Sequence, residues 1–500
     1  MCLSSERIVT REGIGPRPET PARTLHSIAA TRQLEEVAAT SQPTLAPASL
    51  MQRAGLACAQ LALATAPHAQ RFWVACGPGN NGGDGLEAAA HLQAWGKQVT
   101  VSRLPGMTTG KMSVDAACAL QAARQAGVTL SDQPPEVFDA CMDALFGIGP
   151  LRPWSDPHAQ WIQAMNGSAK PVLAVDVPSG LNADTGAASG LIVRATHTLS
   201  LLTLKPGLFM GHGRDACGDI WFNPLGTRHS MAPQALLLNP PRSQTWQHAS
   251  HKGSQGDVCV VGGTTGMTGA ALLAAAAALH GGAGRVYTCL LGPDAPMFAP
   301  SLPEVMIRAP GACDWTQQTV VAGCGGGDAI GALLPQLLED AQRLVLDADG
   351  LNALSASPSL AESVRQRRPG STILTPHPLE AARLLGGSTT QVQADRLRAA
   401  KALAQKYVCT VVLKGSGSVV CGPDTLACIN PSGNGKLATA GTGDVLAGLI
   451  GAHWARGISA HEAASRGVYQ HGAVADRWPE GHPLTAGTLA GALCGFSATA

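Results

Sequence analysis

Phe72-Trp73-Val74-Ala75-Cys76-Gly77-Pro78-Gly79-Asn80-Asn81-Gly82-Gly83-Asp84-Gly85 runs from an apolar pentapeptide straight into a glycine turn. The pentapeptide reads as a short buried strand and residues 86–95 as the helix that follows, so the stretch predicts a strand, a turn and a helix. Glycine backbone lets amides approach an anion closely, and Asn80, Asn81 and Asp84 add side-chain donors and acceptors. The motif is neither the dinucleotide fingerprint Gly-x-Gly-x-x-Gly nor a Walker loop, which needs Gly-Lys-Ser/Thr. An ordinary loop is the competing reading.

Further apolar strands are expected at residues 99–102, 137–144, 172–175 and 198–202, and a second set at 258–261, 285–291, 344–346, 372–374 and 410–413. Helical stretches separate them, which implies parallel βαβ units with right-handed crossovers. With 500 residues, one core is too few. Two three-layer αβα domains are expected, at 26–235 and 247–500, with ligands at the carboxyl ends of their strands. Residues 236–246 read as a linker, because Pro240 and Pro241 cannot enter a helix or a central strand. Residues 1–25 read as a disordered extension without the apolar core of a secretion signal.

Apolar residues make up 45% of the chain and charged ones 14%, a profile of packed α/β enzymes rather than of disorder. Lys plus Arg number 35 against 34 Asp plus Glu, so no basic field exists to gather nucleic acid or anionic lipid, and a small-molecule partner fits better. The 14 Cys are scattered without a Cys-x-x-Cys pair, which suggests a reducing cytoplasm. The most apolar run, residues 270–279, is about half of the roughly 20 residues a membrane span needs. No membrane partner is expected, and the assembly expected is a homo-oligomer.

Acids close two more strands of the first half, in Asp143-Ala144-Leu145-Phe146-Gly147 and Val175-Asp176-Val177-Pro178-Ser179-Gly180. A carboxylate at an apolar strand end is costly unless it faces a cleft. Asn81, Asp143 and Ser179 offer hard oxygens with one negative charge, which suits a monovalent cation better than Mg²⁺. In the second half, Thr268-Gly269-Ala270 opens an alanine-rich helix, and Asp347-Ala348-Asp349 follows a strand, where metal ligation and helix capping compete. Thr375-Pro376-His377-Pro378 pins a histidine at a strand end, and Lys414-Gly415-Ser416-Gly417-Ser418 is apt for nucleotide phosphates. Lys436-Leu437-Ala438-Thr439-Ala440-Gly441-Thr442-Gly443-Asp444 sets a carboxylate in the first turn of an apolar helix, beside amides that can cradle an anion. That layout suits phosphoryl transfer to a hydroxyl, although a plain helix cap also places Gly and Asp there. His461-Glu462 lacks the second histidine of a zinc hydrolase.

Asn80-Asn81-Gly82-Gly83-Asp84-Gly85, Asp143 to Gly147, Val175 to Gly180 and Leu50-Met51-Gln52-Arg53-Ala54-Gly55 resemble NAD(P)H-hydrate epimerase, which interconverts the R and S forms of the C6-hydrated nicotinamide NAD(P)HX. The resemblance implies K⁺ on Asn81, Asp143 and Ser179. It implies substrate contacts from Asn80, Asn81, Gly82, Gly83 and Asp84 and from Gly147, Ile148, Gly149, Pro150, Leu151, Arg152 and Pro153, with Asp176 as acid/base. Ile148 and Pro150 depart from the usual Gly-Thr-Gly-Leu. The second half resembles ADP- or ATP-dependent NAD(P)H-hydrate dehydratase, with a ribokinase-like fold beside a Rossmann-like first half. This implies adenine nucleotide with Mg²⁺ on Lys414, Gly415, Ser416, Gly417, Ser418 and Gly443, and NAD(P)HX against Ala270, Gly325, His377 and Asp444. Gly323-Cys324-Gly325-Gly326-Gly327 replaces Gly-Pro-Gly-Leu-Gly, and Ser418 stands where Thr is common. The alternatives are a ribokinase-like vitamin-precursor kinase and a non-catalytic nucleotide-binding scaffold.

Overall fold

The computed structural model describes residues 6–8, 23–41, 49–103, 112–150, 153–154, 156–188, 190–228, 230–241, 247–293 and 295–495. The chain forms two compact units, one dominated by residues 24–234 and the other by 235–500.

In chain order the strands up to residue 223 are β1 Glu6–Ile8, β2 Arg23–Leu25, β3 Arg71–Cys76, β4 Gln98–Ser102, β5 Thr129–Ser131, β6 Ala140–Ala144, β7 Val172–Val175, β8 His197–Leu201 and β9 Asp219–Asn223, all but β2 lying in the sheet of the first unit. Its sheet has the order β1-β9-β8-β7-β6-β3-β4-β5, with every pairing parallel except the antiparallel edge β1–β9. Central strands are buried along their whole length, as in a sheet covered on both faces. Glu6–Ile8 and Arg23–Leu25 are strands inside the stretch expected to be disordered; the rest of residues 1–25 lies outside the described residues.

The helix after β3 spans Asn80–Ala94, six residues earlier than the glycine-rich sequence suggests. Glycine disfavours helix by roughly 1 kcal/mol, but close packing overrides that here. A Cβ on Gly82 would lie 2.0 Å from the Gly77 carbonyl oxygen, and one on Gly85 would lie 2.5 Å from the Ala144 Cβ. The glycines therefore bring the helix down onto the sheet as well as opening it toward a ligand.

The second unit contributes β10 Ala235–Leu237, β11 Asp257–Gly262, β12 Arg285–Leu290, β13 Met306–Ile307, β14 Thr319–Ala322, β15 Arg343–Leu346, β16 Thr372–Leu374, β17 Thr410–Leu413, β18 Val419–Cys421 and β19 Ala427–Ile429. They lie in the order β13-β12-β11-β14-β15-β16-β17-β18-β19-β10. The pairings from β13 to β17 are parallel, β17–β18–β19 is an antiparallel meander, and β10 pairs parallel with β19. The segment expected as a linker at 236–246 thus begins inside a sheet, and residues 242–246 lie outside the described residues. Helices Thr268–His280 and Thr442–Ala455 cross in close contact, because a Cβ on Gly448 would sit 2.0 Å from the Ala274 carbonyl oxygen. Both carry an alanine-rich buried face onto the core of Val258, Val260, Val321 and Val345.

Candidate active sites

At the carboxyl ends of β3, β6 and β7 a cavity of about 660 Å³ is lined by Asn80, Asn81, Asp84, Phe146, Gly147, Ile148, Gly149 and Asp176, among others. Asp176 has a positive φ of 66°, a left-handed conformation that Asp tolerates better than most residues. Two donors fix its carboxylate through one oxygen, and a third bond fixes its backbone. Lys205, fully buried, donates to Oδ1, the Leu201 amide donates to the same oxygen at 3.0 Å, and the Asp176 amide donates to the Leu199 carbonyl at 2.8 Å. Lys205 also donates to the Leu201 carbonyl at 2.7 Å, so the lysine is satisfied by the turn after β8 as well as by the acid. Burial holds the Lys205 pKa below the ordinary lysine value, against the pull of Asp176.

Asp84 in the same cavity is pushed well above the usual carboxylate range, first by burial and then by Asp176, Glu35, Glu87 and Asp115. Asn80 is oriented by Glu35 at 3.1 Å and Ser113 at 3.0 Å. Gly82 and Gly83 are buried in helix contacts, and neither they nor Pro150 and Pro153 are among the described lining residues; Leu151 and Arg152 lie outside the described residues.

Asp143 and Ser179, both completely buried, meet behind the cavity. Ser179 donates to Asp143 Oδ1 through Oγ at 2.7 Å and to Oδ2 through its amide at 2.8 Å, while the Phe146 amide donates to Ser179 Oγ at 2.9 Å. Burial raises the Asp143 pKa to about 6 against these hydrogen bonds. Asn81 lies against the same β6 turn, beside Asp176: a Cβ on Gly147 would lie 3.0 Å from Asn81 Oδ1 and 3.6 Å from Asp176 Oδ2. The Asn81 amide nitrogen is buried without a partner. One carboxylate with serine and amide oxygens is, by donor chemistry, a set that fits K⁺.

In the second unit, Gly441 caps the helix Thr442–Ala455 in a left-handed conformation, φ 88°, which turns Asp444 into the first helical turn. His471 Nε2, 2.9 Å from the Thr442 carbonyl, steadies that turn from the neighbouring helix. Lys414 donates to Asp347 Oδ1 at 2.5 Å, and Thr375 donates to the same oxygen at 2.8 Å. A Cβ on Gly443 would lie 3.3 Å from Lys414 Nζ and 3.9 Å from Asp347 Oδ2, so the glycine lets the helix turn approach cation and acid closely. Sulfur and oxygens of Cys324, Asp347 and Asp444 all lie within 4.8 Å of one another. Burial first, then Asp347, lifts the Asp444 pKa to about 6. Lys414 is raised in turn, because Asp347 and Glu380 outweigh its desolvation.

His377 does not point freely at this site: it caps the helix Pro378–Leu385, accepting from the amides of Leu379 and Glu380. Ala270 and Gly325 are adjacent, since a Cβ on Gly325 would meet the Ala270 Cβ at 2.9 Å. Ser418 donates to the Gly415 carbonyl at 3.2 Å, closing the Lys414 to Ser418 loop. Buried Arg396 underlies that loop, donating to the carbonyls of Leu413 and Lys414, each at 3.1 Å.

Lys205 and Arg396 are the residues that sequence reasoning left out of the candidate set; Asp347, weighed there as metal ligand or helix cap, makes no side-chain cap bond and pairs with Lys414. Lys205 was detectable by the argument that singled out Asp176, a charge at the end of an apolar strand. Arg396 carries no such mark.

Two family models match this chain: the YjeF-related protein N-terminus at residues 47–207 and NAD(P)H-hydrate dehydratase at residues 258–494. The bifunctional NAD(P)H-hydrate repair enzyme of Escherichia coli is 36% identical, covering 85% of this chain and 84% of that one. Its Coxiella burnetii counterpart is 37% identical over 90% and 93%. Among solved structures, a Bacillus subtilis ADP/ATP-dependent NAD(P)H-hydrate dehydratase co-crystallized with ATP/Mg²⁺ is 30% identical, covering 50% of this chain and 91% of that one with a TM-score of 0.44. Matches to both halves in one relative disfavour the vitamin-precursor kinase and the scaffold. Among the described residues no helix is long and apolar enough to cross a membrane. With an epimerase half joined to a dehydratase half, the chain belongs to the family of bifunctional NAD(P)H-hydrate repair enzymes.

Proposed function

We propose that the two sites act in series on damaged nicotinamide cofactor: the first epimerises R- and S-NAD(P)HX, and the second dehydrates the S form to NAD(P)H at the expense of ADP or ATP. In the first site Asp176 serves as acid/base at C6. Lys205 and the Leu201 amide hold its Oδ1, leaving Oδ2 toward Gly147 and the cavity. K⁺ held by Asn81, Asp143 and Ser179 supplies a fixed positive charge. Asp84 and the Asn80 amide orient the substrate.

In the second site Asp444 takes the proton of the C6 hydroxyl as that oxygen attacks the terminal phosphate of the nucleotide. Phosphate leaves where hydroxide would not, and elimination restores the nicotinamide double bond. Lys414, the loop from Gly415 to Ser418 and Gly443 receive the nucleotide with Mg²⁺, whose charge offsets that of the phosphates. Ala270 and Gly325 provide a flat wall for the nicotinamide, with His377 at its edge. A cytoplasmic homo-oligomer is the setting this reading implies, and sedimentation of the purified protein tests the assembly.

The observation that carries the reading is the convergence of Asp347 and Asp444, with ligand atoms within 4.8 Å of each other, on Lys414 beside Gly443, where a glycine brings the helix turn close to the Lys414 ammonium. Incubating the protein with mixed R/S NADHX, with and without ADP or ATP, tests it. Reduced-nicotinamide absorbance should return to completion only with nucleotide. Recovery of half the substrate would remove the epimerase assignment, and recovery without nucleotide would remove the phosphoryl-transfer step.

A further inference from the structure

Three cysteines that are far apart in sequence converge on one face of the second sheet. Cys259 lies on β11 and Cys289 on β12; the register pairs Val261 with Cys289, so the two thiols are diagonal neighbours on the same face. That face is opposite the one carrying Val258, Val260 and Val286 into the main core. Cys313, just after the short turn Pro310–Ala312, folds over them. The sulfur of Cys289 is 3.7 Å from that of Cys259 and 3.3 Å from that of Cys313, and all three lie within 4.8 Å of one another. Cys259 and Cys289 are buried, while Cys313 is only partly so and gives access from solvent.

We propose that Cys259, Cys289 and Cys313 form a three-thiolate site for a soft monovalent metal ion of the Cu(I) class, separate from both reaction sites. A common ion about 2.3 Å from each sulfur would hold the sulfurs about 3.8–4.0 Å apart, so closure needs only small side-chain adjustments. Among the described residues no His, Asp or Glu joins the cluster within the same radius. Structural zinc sites use four protein ligands, whereas soft thiolates in a set of three suit Cu(I). Binding displaces the thiol protons to solvent, and Arg308 stands close enough to lower the cost of charge on Cys313.

Full-length reduced protein titrated anaerobically with Cu(I), against a chromophoric Cu(I) chelator, tests the site. The parent should retain one more Cu(I) per chain than Cys313→Ser and Cys259→Ala, with a thiolate-to-copper absorption band that both variants lose. Cys118→Ser/Cys494→Ser, which removes exposed thiols elsewhere, should bind as the parent does. Equal stoichiometry in the parent and both cluster variants would overturn the proposal, as would tighter binding of Zn²⁺ than of Cu(I) at the same cysteines. So would loss of the ion in the double variant.

Discussion

Each half of the molecule sets a buried lysine against a carboxylate at a strand end, but the two pairs are wired differently. Lys205 binds the acid assigned to proton transfer, Asp176, whereas Lys414 binds Asp347 and leaves Asp444 beside the pair. The two lysines respond oppositely. Desolvation prevails at Lys205 and lowers its pKa, while at Lys414 the added charge of Glu380 reinforces Asp347 and the pKa rises. Burial alone therefore does not set the behaviour of a lysine; its balance against nearby carboxylates does, since Lys205 too has a second acid, Glu35, within electrostatic reach and is still lowered. In the proposed assignment Asp176 acts as acid/base beside C6, and a carboxylate with a fixed counter-ion suits a proton that is taken and returned. The proposed base of the phosphoryl-transfer site, Asp444, is set apart from the cation gathering phosphate, because Lys414 takes Asp347 as its direct partner.

The comparison breaks most sharply with Asp444→Asn. Dehydration should fall by about 10²–10⁴, the usual contribution of a general base, while R/S interconversion continues. Near-normal nucleotide-dependent turnover in the purified variant would refute the role of Asp444. Asp176→Asn should give the mirror result, S-NADHX consumed at the parental rate and R-NADHX left to spontaneous conversion, as chromatography of the two epimers would reveal. Removal of one partner of a buried pair strands the other charge, so Lys205→Met should destabilise the first unit by about 3–5 kcal/mol. Denaturant unfolding followed by Trp fluorescence measures this, and an unchanged midpoint would mean that the pair is not buried in solution.

Asp143→Ala should diminish K⁺-dependent stimulation of epimerisation with little effect on dehydration. Stimulation equal to that of the parent would separate Asp143 from the ion. The mildest effect is on pH. With its pKa near 6, Asp444 is the active carboxylate above that value and protonated below it, so kcat/KM for dehydration should fall about tenfold per unit once pH drops through 6. A profile flat down to pH 5 would place the base elsewhere.

Much of this was legible in the chain itself. Apolar strands alternating with helices fix the βαβ architecture, and Asp176, Asp444 and Lys414 stand out because charge at an apolar strand or helix end needs a reason. The antiparallel β17–β18–β19 meander and the early start of the helix Asn80–Ala94 were less accessible. Glycine propensity argues for a loop at 80–85, and only the contacts with Gly77 and Ala144, distant or hidden in sequence, explain a helix there. Arg396 looks like its neighbour Arg398 in a basic amphipathic helix, yet one is buried under a loop and the other is exposed. The three clustered cysteines were read as scattered because their convergence depends on the register of β11 with β12, which spacing cannot reveal.

The descent of the Asn80–Ala94 helix onto its sheet also governs which heritable changes this chain can survive. At Gly82 and Gly85 any other codon would force backbone or a packed Cβ to move, and almost every variant there should be purged from a randomised library. At Gly83 the obstacle is the Met51 thioether, a flexible tip that can swing aside, so alanine should persist at reduced frequency. Gly79 has nothing within 4 Å of its missing Cβ and a backbone that other residues adopt. Deep sequencing of survivors should therefore show a graded pattern across one short segment, in which glycines of identical appearance differ in how freely descendants may replace them.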